Sequence, residues 1–147
     1  MELLRLVEHS LWANLEWVEF VYSHDDPENR PRELLAHTMD SERVWFDRID
    51  GRVNTTANFS QLSRDELVQG FKGNAGILRR LIGGRLDEVI QFRRASGEEY
   101  HARVRDIVYH LLTHGYHHRG QLAAHYARKG VPYPNTDHIN YLIVKQL

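Results

Sequence analysis

The sequence predicts an all-α fold: an antiparallel four-helix bundle with a short extra C-terminal helix and a short hairpin before the fourth helix. Three observations lead there. Four long segments place apolar residues at steps of three and four, the spacing that lays one stripe along an amphipathic helix. Clusters of Pro, Gly, Asn and Asp separate those segments and supply the turns. Four long helices joined by loops bury their stripes against one another, and side chains on facing helices are then available to build a site.

In chain order, the first stripe is Leu4, Val7, Leu11, Leu15, Val18 and Val21, a helix over residues 2 to 22. Asp25, Asp26, Pro27, Asn29 and Pro31 break it. A second helix over residues 31 to 49 carries Leu34, Leu35, Met39, Trp45, Phe46 and Ile49, and Gly51 stops it. Residues 54 to 58 read as an irregular polar loop, a type of connection that often serves a nearby site. Ser63-Arg64-Asp65-Glu66 has the capping-box pattern, in which Ser63 and Glu66 satisfy backbone donors at the start of a third helix. Its stripe is Leu67, Phe71, Leu78 and Leu81, and Gly83-Gly84 ends it. Gly70, Gly73 and Gly76 each cost about 1 kcal/mol relative to Ala, which predicts compensation by close packing against a neighbouring helix. Val89 to Arg94 and Glu99 to Ala102 flank Ala95-Ser96-Gly97-Glu98 as a short hairpin or extended loop. A fourth helix, Arg103 to Lys129, is closed by Gly130 with Pro132 and Pro134 following, and Asp137 is placed to cap a last short helix with Ile139, Leu142 and Ile143.

Length and composition narrow the function classes. The 147 residues fit one domain, 1–147. With 41% hydrophobic and 27% charged residues the chain is globular rather than disordered or fibrous. Its formal net charge is -1 and the charges are interspersed; Arg79, Arg80 and Arg85 read as a solvated helix face, so no nucleic-acid partner is expected. No apolar run is long enough to span a bilayer, and the N-terminus lacks a basic n-region and an uninterrupted apolar h-region. No membrane partner and a cytoplasmic location are therefore expected. The absence of cysteine excludes disulfides, thiolate ligands and a cysteine nucleophile. Ten histidines raise the odds of a metal site and of chance spacings alike.

The chemistry concentrates in His110-Leu-Leu-Thr-His114-Gly-Tyr-His117-His118-Arg-Gly-Gln121, because residues three and four apart share a helix face and can bind one ion together. With His114 set to zero and about 100° per residue, His118 falls near +40°, between Ile107 near +20° and Leu111 near +60°. His117 near -60° and His110 near -40° flank that apolar stripe by the same rule of about 100° per residue. The pair pointing into the bundle is therefore His114 and His118. Gln121, near -20° at about 100° per residue, is placed to hydrogen-bond beside them. His125 lies on the same face but roughly 10 Å beyond His118 by helix rise, too far to share an ion, and reads as pocket lining or core. Arg119 turns away and reads as a tie to a carboxylate such as Glu42, and Gly120 as a point of close helix contact. No acid lies between His114 and His118, so the zinc-protease pattern His-Glu-x-x-His is absent. No helix carries the Glu-x-x-His unit of di-iron bundles either, which leaves a mononuclear centre. His9, His24 and His37 are candidates for a third ligand on another helix, and periodicity does not choose among them.

Leu34-Leu35-Ala36-His37, Ser41-Glu42-Arg43-Val44-Trp45 and His114-Gly-Tyr-His117-His118-Arg119-Gly120-Gln121 together resemble the DinB/YfiT-like family of metal-dependent enzymes. Trp12-Ala13-Asn14, the Gly130-Val-Pro-Tyr-Pro stretch and Asp137 extend the resemblance over nearly the whole chain. It implies a four-helix bundle with a His37, His114, His118 metal triad, commonly a homodimer, acting on a small-molecule substrate. Relatives of this kind are S-transferases using low-molecular-weight thiols, or a mycothiol-dependent maleylpyruvate isomerase.

Three neutral imidazoles leave a divalent metal its full charge and an open position, as in catalytic rather than structural sites. Zinc is the first expectation, with nickel, iron or manganese as alternatives. The leading reading is a metal-dependent transferase with a small thiol as cosubstrate. A metal-dependent hydrolase of a small substrate and a non-catalytic metal-binding stress-response protein are the alternatives.

Overall fold

Along the chain run α1 (Glu2–Ser23), α2 (Arg30–Ile49), α3 (Arg64–Gly84), a hairpin of β1 (Val89–Arg93) and β2 (Glu99–Arg103), α4 (Val104–Arg128) and α5 (His138–Lys145). This computed structural model describes residues 2–53 and 61–147, so the polar loop expected at 54 to 58 lies outside the described residues. The architecture is the all-α bundle that the periodicity predicts, with its extra C-terminal helix and its short antiparallel hairpin.

Most boundaries have a local cause. Pro31 stands in the first turn of α2, where its missing N–H would have no helical partner anyway. Past the end of α2, Gly51 adopts φ 70°, and the Arg52 amide donates back to the Asp47 carbonyl at 2.7 Å. At α3 both halves of the capping box form: the Glu66 amide donates to Ser63 Oγ at 3.1 Å and the Ser63 amide to Glu66 Oε1 at 3.2 Å. Asp137 occupies the N-cap of α5, but its side chain makes no capping bond. Instead its own amide donates to Asn135 Oδ1 at 3.1 Å, so a side-chain turn one step earlier positions the helix start.

Contacts between helices fix their directions. Arg64 pairs with Glu19, and Arg79 with Glu8 at 2.6 Å, so α3 runs antiparallel to α1. In α2 the His37 ring lies against His118 and the Trp45 ring against His110, so α4 is antiparallel to α2. By contrast, Gly70 abuts Met39 while Asn74 Nδ2 donates to Glu42 Oε2 at 2.7 Å, so α2 and α3 run the same way. The two closest facing pairs are antiparallel, as predicted, while consecutive α2 and α3 are parallel.

Two apolar clusters fill the bundle. One is built around Val7, Phe46, Leu78, Val104, Ile107 and Leu111, the other around Trp17, Leu35, Leu67, Phe71, Leu122 and Tyr126. Between them lies a buried polar layer of Ser10, Asn14, Glu42, Asn74 and Arg119. The inner face of α1 is rotated from the predicted stripe. Leu4 is 36% exposed and Leu11 and Leu15 are half-buried, whereas His9, Asn14 and Trp17 are buried. These polar and aromatic residues reach the interior because their polar atoms find partners there. Trp17 Nε1–H donates to Thr136 Oγ1 at 3.1 Å, and His9 Nε2–H to the Thr136 carbonyl at 2.7 Å.

The predicted compensation for the α3 glycines holds at Gly70, where a Cβ would sit 1.9 Å from Met39 Sδ. It does not hold at Gly73, which faces open space, or at Gly76, whose nearest neighbour is the Arg80 side chain at 3.8 Å. Gly120 likewise meets nothing, so it makes no close helix contact. Opposite outcomes follow for two identical substitutions. Gly73→Ala should stabilise the fold by about 1 kcal/mol through helix propensity, while Gly70→Ala should destabilise it by about 1–3 kcal/mol through overpacking against buried Met39. Urea denaturation of both variants checks the pair.

Candidate metal centre

His37 on α2 and His114 and His118 on α4 turn their rings towards one another across the α2–α4 interface. Ring centroids are 5.3 Å apart for His37 and His114, 4.7 Å for His37 and His118, and 4.3 Å for His114 and His118. The interplanar angles are 63°, 89° and 86°, so the rings meet edge-on and point nitrogens inward rather than stacking. One nitrogen from each ring lies within 4.8 Å of the other two, and no described carboxylate joins the group. His114 Nε2 and His118 Nε2 are 2.9 Å apart.

The ring of His118 is held in one tautomer. Its Nδ1–H donates to Gln121 Oε1 at 2.7 Å, which leaves the lone pair on Nε2, the nitrogen facing His114. Burial and mutual repulsion keep the rings neutral. His114 is pushed down to about 4, by burial first and then by the nearby imidazoles of His118, His37, His110 and His117. Burial also lowers His37 and His118, and Arg30 at the start of α2 works in the same direction on both. Three uncharged nitrogen donors facing one point fit a divalent transition metal.

A family model for the DinB family matches residues 29–146. The chain belongs to the DinB family. No curated protein matches it. The matched DinB region runs from just before α2 through the whole of α5 and contains all three histidines. None of the described helices of this DinB protein is long and apolar enough to cross a membrane.

Other histidines of the motif take separate places. His117 is exposed, with its ring 5.1 Å from that of His118. His110, also exposed, lies between His114 and the Trp45 ring at 5.6 and 5.5 Å. His125 is buried apart from the triad, its Nε2 2.7 Å from Asp26 Oδ2. With Asp26 and Glu28 it makes a second cluster of potential ligands, but the Lys129 ammonium already sits 2.9 Å from Asp26 Oδ1. Burial opposes the Asp26 carboxylate, yet hydrogen bonds from Lys129, the Glu28 amide and His125 outweigh it and hold the group well below the usual carboxylate range. This cluster ties the α1–α2 connection to α4. His9 is likewise fully engaged away from the triad, accepting from Tyr116 Oη–H at Nδ1 over 2.7 Å.

The sequence also points to a tie between Arg119 and Glu42, and the structure alters it. Arg119 Nη1–H donates to Asn14 Oδ1 at 2.7 Å, and the guanidinium stacks on Tyr116 at 4.7 Å. Glu42 accepts from Asn74 instead, and attracts Arg119 only through space. Burial lowers Arg119 to about 10 and raises Glu42 to about 7, the Asn74 hydrogen bond and Arg119 only partly offsetting the latter. Neither residue stands out by hydrophobic periodicity, because both sit on inward faces where apolar residues are expected.

Glu42 makes stability pH-dependent. Its folded pKa lies above the ordinary carboxyl value of 4.5, so the native state favours the protonated form and loses stability as pH rises from 4.5 to about 7. Glu42→Gln removes that loss. Relative to wild type, the variant should gain on the order of 2–3 kcal/mol between pH 4.5 and pH 8. Chemical denaturation of both proteins across that range measures it, and a flat difference contradicts the assignment.

Proposed function

We propose that this DinB-family protein is a divalent-metal-dependent enzyme that transfers a small thiol to an electrophilic substrate, with zinc as the first choice of metal. The observation that carries this reading is a group of three imidazoles with no carboxylate in it. His37, His114 and His118 would hold the ion. A metal bound by neutral donors keeps its full charge and acidifies a thiol or water that reaches its open position.

The protein's own residues then have limited tasks. Gln121 orients the His118 ring through the Nδ1–H bond, and the buried surroundings of the triad keep all three donors deprotonated at neutral pH. A metal-bound water is only partly ionised near neutral pH, so a hydrolase gains from a positioned base, and no carboxylate among the described residues joins this group to serve as one. A thiol activated by the ion alone needs none. Because the chain contains no cysteine, that thiol comes from solution.

Zinc-loaded protein mixed with a chlorodinitroarene and a panel of low-molecular-weight thiols should consume thiol and release chloride at a rate proportional to bound zinc. Gln121→Leu should lower that rate by roughly 10–100-fold, the usual cost of losing a hydrogen-bond partner behind a ligand. Zinc-dependent ester hydrolysis without any response to thiol would contradict the transferase reading.

A further inference from the structure

Beside the triad, a row of ring contacts along the α2–α4 interface leads to a second chemical feature. From His114 the next ring is His110 at 5.6 Å, then Trp45 at 5.5 Å, and over Trp45 lies the Arg48 guanidinium with Cζ 4.5 Å from the ring centroid. Phe92 of β1 closes the other side, its ring 4.9 Å from Trp45 and 5.4 Å from Arg48 Cζ. The hairpin therefore stands against the C-terminal half of α2.

Arg48 differs from the arginines around it. Arg52 is engaged by Asp47 and Asp50, and Arg93 by Glu99. Among the described residues no carboxylate pairs with Arg48; it is half-buried on aromatic faces, and burial and the neighbouring Arg94 make its charge costlier to hold. It also lines a cavity of about 360 Å³ together with Arg52, Arg93, Val44 and Phe92, on the side of Arg48 away from the triad, and no acidic side chain among the described residues lines that cavity. A guanidinium pre-oriented by aromatic stacking, with its donors uncommitted and apolar walls beside it, matches the fork geometry of a carboxylate.

We propose that Arg48, Trp45 and Phe92 form a subsite for the carboxylate end of an elongated small molecule whose other end reaches the His37, His114, His118 centre. The subsite rests on the functional reading above, since it presumes a ligand anchored at the metal. It selects for ligand length as well as charge: a short thiol acid cannot span the His110 and Trp45 rings, whereas a long one places its apolar chain along them.

The test uses protein loaded with cobalt(II), in which a thiolate on the metal gives a charge-transfer absorption band. Mercaptoundecanoic acid should bind wild type at least about tenfold more tightly than it binds Arg48→Gln, the cost of one charge-assisted hydrogen bond. Mercaptopropionic acid should bind both proteins equally, which also verifies that the variant is folded and metal-loaded. Equal affinity of the long acid for both proteins overturns the subsite. If no thiol produces the band, the thiol reading fails, and the subsite is then judged with dodecanedioate, whose two carboxylates are separated by the same ten methylenes as the thiol and carboxyl of mercaptoundecanoic acid. Calorimetric affinity for dodecanedioate that drops about tenfold in Arg48→Gln supports the subsite, and unchanged affinity overturns it.

Discussion

Everything in this bundle depends on keeping a cluster of imidazoles uncharged at the α2–α4 interface. Three rings with nitrogens within 4.8 Å of one another would repel strongly if protonated. Partial burial together with the neighbouring imidazoles removes that possibility near neutral pH, and His114 at about 4 shows how far the surroundings press. The same burial makes the nitrogens available as donors. The bundle thus gathers side chains that are costly to charge, and one hydrogen bond from His118 to Gln121 directs the His118 lone pair towards His114.

A second polar layer shares the middle of the bundle. Asn14, Glu42, Asn74 and Arg119 bring α1, α2, α3 and α4 together through hydrogen bonds and through-space attraction rather than a direct ion pair. Such groups add little net stability compared with apolar packing, but they penalise any other helix register, because a one-turn slip would strand a buried charge. Register is what a site split between α2 and α4 requires. The polar layer and the triad therefore belong to one design, the first holding the helices in step so that the second converges.

Much of this was legible in the sequence, and what was not has physical reasons. Repeating apolar steps marked the helices, and the Ser63 to Glu66 pattern marked a cap that forms in full. The phase of α4 put His114 and His118 on one face because a single helix has a fixed period. His37 could not be placed that way: its position relative to α4 depends on helix packing, which periodicity does not encode. The rotation of α1 was hidden for a related reason. His9, Asn14 and Trp17 go inward because Thr136 and Arg119, more than 100 residues away, supply their partners. Arg48 gave no signal, since a cation on a helix normally reads as solvated surface and its aromatic seat is assembled only when the hairpin folds against α2.

The claim from which the rest follows is that His37, His114 and His118 together hold one divalent ion. Metal content per chain, measured after zinc loading and dialysis for wild type and for the alanine variant of each histidine, tests it most directly. The account predicts close to one zinc per folded chain in wild type and in His117→Ala, and loss of zinc in His37→Ala, His114→Ala and His118→Ala. Full retention of zinc in any of those three variants, with the fold intact by circular dichroism, would contradict it.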